Sequence, residues 1–215
     1  MRLSKLFFLR KSQKEKIDKY ANEEAKILVN ASFHGSKLVV GEFVSDLYEI
    51  SEEEFKEKYD FQIAKEFAIF SIHICSRITF NKLEKNTRNM FLDSLGLKVA
   101  THLIFGYYGV EGEDNSYKEN EKRISKFYKE INEREQEYGS CQIMLVKQEN
   151  DYDISERNNG VKSKGAINLL ADNVEIILVG KIIGNPVINL TISEAKMSEY
   201  KGTEKLLRAL FNIGK

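Results

Sequence analysis

Between Phe61 and Ile78 the chain places Phe61, Ile63, Ala64, Phe67, Ala68, Ile69, Phe70, Ile72, Ile74 and Ile78 on almost every side of a helix. A helix that is apolar all round has no face left for water and must be enclosed by other elements. The rest of the fold is therefore expected to surround this segment. The chain of 215 residues holds one proline and no tryptophan. With so few helix breakers, long helices are the natural surround. The expected class is all-α: a multi-helix bundle, one domain, with one very apolar central helix.

Local signals divide the remainder. Lys11 to Phe33 reads as a first helix, with Ile17, Ala21, Ala25, Leu28 and Val29 on one face, and His34-Gly35-Ser36 as its stop. Lys37 to Tyr48 suits a short helix or an extended piece, and the helical spacing of Val39, Val40, Phe43, Val44 and Leu47 favours helix. Ser51-Glu52-Glu53-Glu54 has the form of a capping box and opens the central helix, expected to run to about Leu83. Asn86 or Thr87 then caps a helix reaching Tyr108. Gly106, Gly109 and Gly112 make a loop. Asn115 to Tyr138 is a highly charged helix with a narrow stripe of Tyr117, Ile124, Phe127, Tyr128, Ile131 and Tyr138. It has room to continue past Gly139 towards Val146.

Residues 147–164 form a polar loop around Asn158-Asn159-Gly160. NVEIILVGKII suits a helix or a buried strand, and strands across residues 140–192 would make the fold α+β. The signal that follows favours helix, because Asn185-Pro186 places proline at a first helical position. Thr203 is read as the cap of a last short helix, Glu204 to Phe211.

Charge and cysteine usage narrow the function classes. Lys+Arg and Asp+Glu both number 33, so the net charge is zero, and no specific nucleic-acid partner is implied. Cys75 and Cys141 belong to no pairing motif, which suggests a reducing, cytoplasmic setting with Cys75 as a small core residue. No apolar run approaches the roughly 20 residues needed to span a bilayer. The start MRLSKLFFLRKSQKEK is basic but lacks a signal-peptide core and cleavage site. As a basic arm of about sixteen residues it leaves room for contact with a membrane surface, with tucking onto the domain as the preferred reading.

Three polar residues interrupt the apolar helix. Glu66, His73 and Arg77 are spaced by seven and four, which puts them on one side of it. The preferred reading is a structural network fastening this helix to the next, with Asp93 as the partner of Arg77 and Arg88 as the partner of Glu66. The alternatives are a stripe that simply faces water, and a small-ligand or enzymatic pocket around Glu66, His73, Arg77 and His102, in which Arg77 holds an anion and His73 titrates near neutral pH. No metal and no cofactor are implied. None of His34, His73 and His102 has a glutamate three positions before it, and His-Glu-x-x-His is absent. Phosphate loops, dinucleotide fingerprints and a nucleophile elbow are also absent.

The run FAIFSIHICSRITFNKLEKNTRNMFLDSL, together with INEREQEY at Ile131 to Tyr138, resembles a pattern in uncharacterised bacterial helical proteins. The two stretches cover about a fifth of the chain. Ser76 stands where that pattern has an acid, and Met90-Phe91-Leu92 where it has Phe-Met. The resemblance implies an all-helical fold and no particular chemistry.

The function expected from these residues is a protein-interaction or self-associating module. Its contact surfaces would be the charged helix 115–138 and the aromatic group Phe105, Tyr107 and Tyr108. Beside the pocket alternative stands a nucleic-acid or membrane-surface role for the basic arm, which salt would weaken steeply.

Overall fold

The structure, a computed structural model, describes residues 2–47, 59–80, 82–109, 114–141, 146–147, 152–153, 166–182, 184 and 186–211. Six helices are described: α1 (Arg2–Leu47), α2 (Phe61–Thr79), α3 (Lys85–Tyr108), α4 (Asp114–Ser140), α5 (Ala166–Val179) and α6 (Pro186–Phe211). The all-α class holds. The strands among the described residues are β1 (Val146–Lys147) and β2 (Tyr152–Asp153), a single antiparallel pair that matches Val146 with Asp153. Residues 166–179, left open between helix and strand, are helical.

Sixteen of the nineteen residues of α2 are buried. This helix packs against each of the other five. Its neighbours also pack in pairs: α3 on α4, α1 on α3, α1 on α6, and α5 on α6. They form an arc around α2, with α4 and α5 at its two ends. The core is continuous through Leu28, Phe67, Phe91, Leu95, Phe127, Leu170, Ile192 and Leu207, all nearly without solvent contact.

Several boundaries differ from the sequence expectation. α1 runs unbroken through His34-Gly35-Ser36. Gly35 is not a stop but a point of close approach, since a β-carbon there would lie 2.6 Å from the Phe67 ring of α2. Ser36 bonds the Phe33 carbonyl and the Asp60 carboxylate. The basic start of the chain is helical in its backbone from Arg2 onward. α2 ends at Thr79 rather than near Leu83, because Phe80 is extended (φ −63°, ψ 133°) and its N–H closes back onto Ser76 and Arg77. α3 begins at Lys85, one turn or less before Asn86 and Thr87, which therefore lie inside it and not at its cap.

Gly106 is helical, and the turn falls at Gly109, whose φ of 77° suits glycine. α4 stops at Ser140. Gly180, at φ 75°, ends α5 in the same left-handed way, so Lys181 and Ile182 lie beyond the helix. α6 begins at Pro186 as expected but is one helix to Phe211; Thr203 is a buried interior residue, not a cap. The Ser51–Glu54 box, Gly112, Asn185 and the centre of the polar loop lie outside the described residues.

Buried hydroxyls along these helices bond the carbonyl one turn back. Ser32 donates to Leu28, Ser71 to Phe67 and Thr79 to Cys75, at 2.7–2.8 Å. Each satisfies itself locally, so none of these hydroxyls depends on another helix for a partner.

Candidate functional site

Buried charge lies on two sides of α2. On the α4–α5 side, Glu66 is buried and its Oε1 accepts three bonds: from Arg134 Nη2 at 2.6 Å, Tyr138 Oη at 2.6 Å and Asn173 Nδ2 at 2.9 Å. Asn173 Nδ2 also reaches the Tyr138 hydroxyl at 3.3 Å. One carboxylate thus joins α2, α4 and α5 across the open ends of the arc. Burial, with the Glu66 charge behind it, pushes the Tyr138 phenol far up, so it stays a donor. Burial works against the Arg134 cation, but attraction to Glu66 outweighs it and the guanidinium is held more firmly protonated.

Two turns along α2, the buried His73 faces Glu135, with Nδ1 3.2 Å from Oε2. Its Nε2 lies 3.3 Å from Arg77 Nε. A guanidinium only donates, so Nε2 accepts and the ring proton sits on Nδ1, directed at Glu135. His73 also packs against Tyr138 and Phe70, at ring separations of 5.6 and 6.3 Å. Arg77 continues outward and donates from Nη2 to the carbonyls of Gly139 (3.1 Å) and Cys141 (3.2 Å). Placed at the C-terminal end of α4, it meets carbonyls that have no partner in the helix.

The structure brings Glu66, His73 and Arg77 together through α4, not through α3. Asp93 is exposed and belongs to a different face, in a groove with Lys14, Ile17, Asp18, Met90, Ser94, Leu97 and Tyr128. It is not the partner of Arg77. Arg88 does not meet Glu66 either: its Nη2 donates to Ser76 Oγ at 2.7 Å, and its guanidinium lies over Phe80 at 5.2 Å. His102 is also separate, bonded to Asn22 of α1 at 2.9 Å, and is held below its ordinary range by burial and then by Lys26 and Lys98. The sequence reading looked for partners on the next helix in the chain. The helix that supplies them follows one later.

A second cluster, on the α1–α6 side, was not anticipated. Lys196, 1% exposed, donates to Phe67 O (3.2 Å), Ser71 Oγ (3.0 Å) and Glu199 Oε2 (2.6 Å), and stands over the Phe67 ring at 4.6 Å. Burial pulls its ammonium down, against the attraction of Glu199. Glu24, fully buried on α1, is bonded by Thr203 and by the Cys75 thiol, whose Sγ is 3.8 Å from Oε1. Glu24 Oε2 and Glu199 Oε1 are buried with no hydrogen-bond partner among the described residues. Burial pushes the Glu24 carboxyl up to about 7; the Thr203 bond opposes this and the Glu199 charge adds to it. Burial also drives the Cys75 thiol up, with Glu24 and Glu199 adding, so Cys75 is an inert core thiol and not a nucleophile.

The signal that could have found this cluster was present. Glu24 falls on the same stripe as Ile17, Ala21, Ala25 and Leu28, and Lys196 on that of Ile188, Ile192 and Leu207. A charge on an apolar stripe is a buried charge.

Among the described residues, no three of His, Cys, Asp and Glu stand where they could hold a metal ion, and no helix is long and apolar enough to cross a membrane. No family model, curated protein or solved structure matches the chain.

Proposed function

We propose that this chain is a protein-interaction module, a helical bundle that acts by binding another protein or a second copy of itself in a reducing compartment. The observation that carries this reading is an aromatic rim where α3 ends and α4 begins. Tyr107, Tyr108 and Tyr117 are 37%, 40% and 55% exposed. Tyr107 and Tyr108 rest on Phe61 at ring separations of 4.4 and 5.3 Å, and Phe105 lies 6.4 Å from Tyr117. Half-covered rings held in fixed orientation lose little freedom when a partner covers the rest, and their hydroxyls stay wet at the edge.

The two stretches that carry the resemblance to bacterial helical proteins meet at His73, which faces Glu135 and packs on Tyr138. Kinship with those proteins is part of the same proposal, with this contact as its support. The pocket alternative has less behind it, because the polar atoms of Glu66, His73 and Arg77 are largely engaged with one another and with α4.

Native mass spectrometry and sedimentation of the purified protein test the reading. Association that grows with concentration, or a bound protein that is lost when Tyr107, Tyr108 and Tyr117 are changed to serine, supports it. A retained small molecule that disappears in Glu66→Gln or His73→Gln replaces it with the pocket reading. A bare monomer at every concentration, indifferent to the tyrosine changes, sinks self-association and leaves the rim without a role.

A further inference from the structure

Beside the aromatic rim runs an open trough of 340 Å³ between α2, α3 and α4. Its long wall is one stripe of α4, from Glu119 to Glu130, with lining residues at 119, 122, 123, 126, 127 and 130. That stripe is roughly 16 Å long at the helical rise, an extended shape suited to a polypeptide segment more than to a compact molecule. Phe61, Tyr108 and Phe127 supply apolar ground along it.

The charge of the lining is uneven. Lys65, Lys122, Arg123 and Lys126 face Glu119 and Glu130. The two acids are already engaged: Glu130 with Lys65 at 2.7 Å and Glu119 with Arg123 at 3.8 Å. Lys65 is further fixed over the Phe127 ring (5.1 Å), and Arg123 over Tyr108 (4.1 Å). Lys122 and Lys126 are exposed and carry no ion pair among the described residues. Two cations one helical turn apart, beside the half-exposed Tyr108 ring, remain after the pairing among the described residues is done.

We infer that this trough docks an acidic segment of a partner protein, whose carboxylates meet Lys122 and Lys126 and whose apolar side chains rest on the exposed part of Tyr108. The inference rests on the interaction reading and names the partner's chemistry. Tyr108 belongs to both the rim and the trough, so the two surfaces are continuous. The chain's own basic beginning is the wrong occupant, since it would bring like charge to like.

The test uses the full-length protein and a fluorescently labelled synthetic peptide of glutamate and phenylalanine, with a lysine–phenylalanine peptide and a single-stranded oligonucleotide as competitors. The acidic peptide should bind, and more weakly as salt rises. Lys122→Glu with Lys126→Glu should lower its affinity about tenfold or more by reversing both charges. Lys122→Arg with Lys126→Arg should restore it, and unchanged circular dichroism shows that both pairs fold. Three results would overturn the inference: binding indifferent to the charge reversal, the basic peptide binding as well as the acidic one, or the oligonucleotide displacing the peptide at lower concentration. Association that depends on the tyrosine rim but ignores the lysine reversal would leave the interaction reading standing and this inference alone refuted.

Discussion

On the α4–α5 side of α2, Glu66 gathers three donors on one oxygen, while on the α1–α6 side Glu24 and Glu199 each keep an oxygen without a partner among the described residues. Both sides bury carboxylates against the same central helix. They differ in what was supplied to meet the charge. The first has a cation, a phenol and an amide from two helices. In the second, one lysine serves Glu199, and Glu24 has a hydroxyl and a thiol. A buried charge that is fully met ties helices together, whereas one that is partly met favours its neutral form. The first cluster is therefore a fastening, and in the second the Glu24 carboxyl, pushed up by burial, is the group whose charge follows pH.

The largest effect is expected where the fastening is cut. Arg134→Met leaves Glu66 buried with only its neutral donors. Loss of one partner of a buried pair should cost about 3 kcal/mol, read as a shift in the urea midpoint. A loss well under this would mean that Tyr138 and Asn173 suffice, and the contrast with the other side would shrink.

The second cluster is tested through pH. Glu24 holds its proton in the folded state up to about 7, whereas the unfolded chain releases it near its ordinary value of 4.5. Between those values the folded state binds the extra proton, so stability is highest below the window and falls as pH rises through it. The fall should amount to about 3 kcal/mol, with no further change from this group above pH 7. Glu24→Gln should flatten that decline and be at least as stable as the parent at pH 8. Unfolding curves at pH 5 and pH 8 decide it, and a decline that persists in the variant would place the titrating group elsewhere.

Tyr138→Phe removes one charge-assisted bond to Glu66 and should cost about 2 kcal/mol in the same assay. Gly35→Ala should cost a similar amount, about 2 kcal/mol, by overpacking against Phe67, whose ring and carbonyl also hold Lys196. Tolerance of alanine there would show that α1 can move away from α2. The smallest change is expected for His73→Gln, about 1 kcal/mol, since glutamine can keep a bond to Glu135. Nitrogen chemical shifts of His73 should report a proton on Nδ1, and a proton on Nε2 would reverse the assignment to Arg77.

The expectation that went furthest astray concerned partners. Glu66, His73 and Arg77 were legible as one face of a helix, because helical period converts spacing into direction. Their partners were not, because period says nothing about which helix stands opposite. Asp93 and Arg88 lie on α3, the next helix in the chain, while Arg134, Glu135, Tyr138 and the Gly139 carbonyl come from α4. The stops were misread for a related reason. Gly35 carries the same local signal whether it ends a helix or lets two helices touch, and only the presence of Phe67 distinguishes the two. Thr203 likewise has a cap's chemistry, but here it faces Glu24 inside a continuous helix.

By itself the sequence determined that this chain is helical and that the segment from Phe61 to Ile78 must be enclosed. Periodicity and the scarcity of breakers act within one helix, so they are written in the order of residues. The tertiary structure alone decided which charges are met, which are left partly unmet and which cations stand beside the aromatic rim. Those outcomes depend on distances between helices far apart in the chain, and a buried carboxylate becomes a tie or a proton site according to the donors that other helices bring.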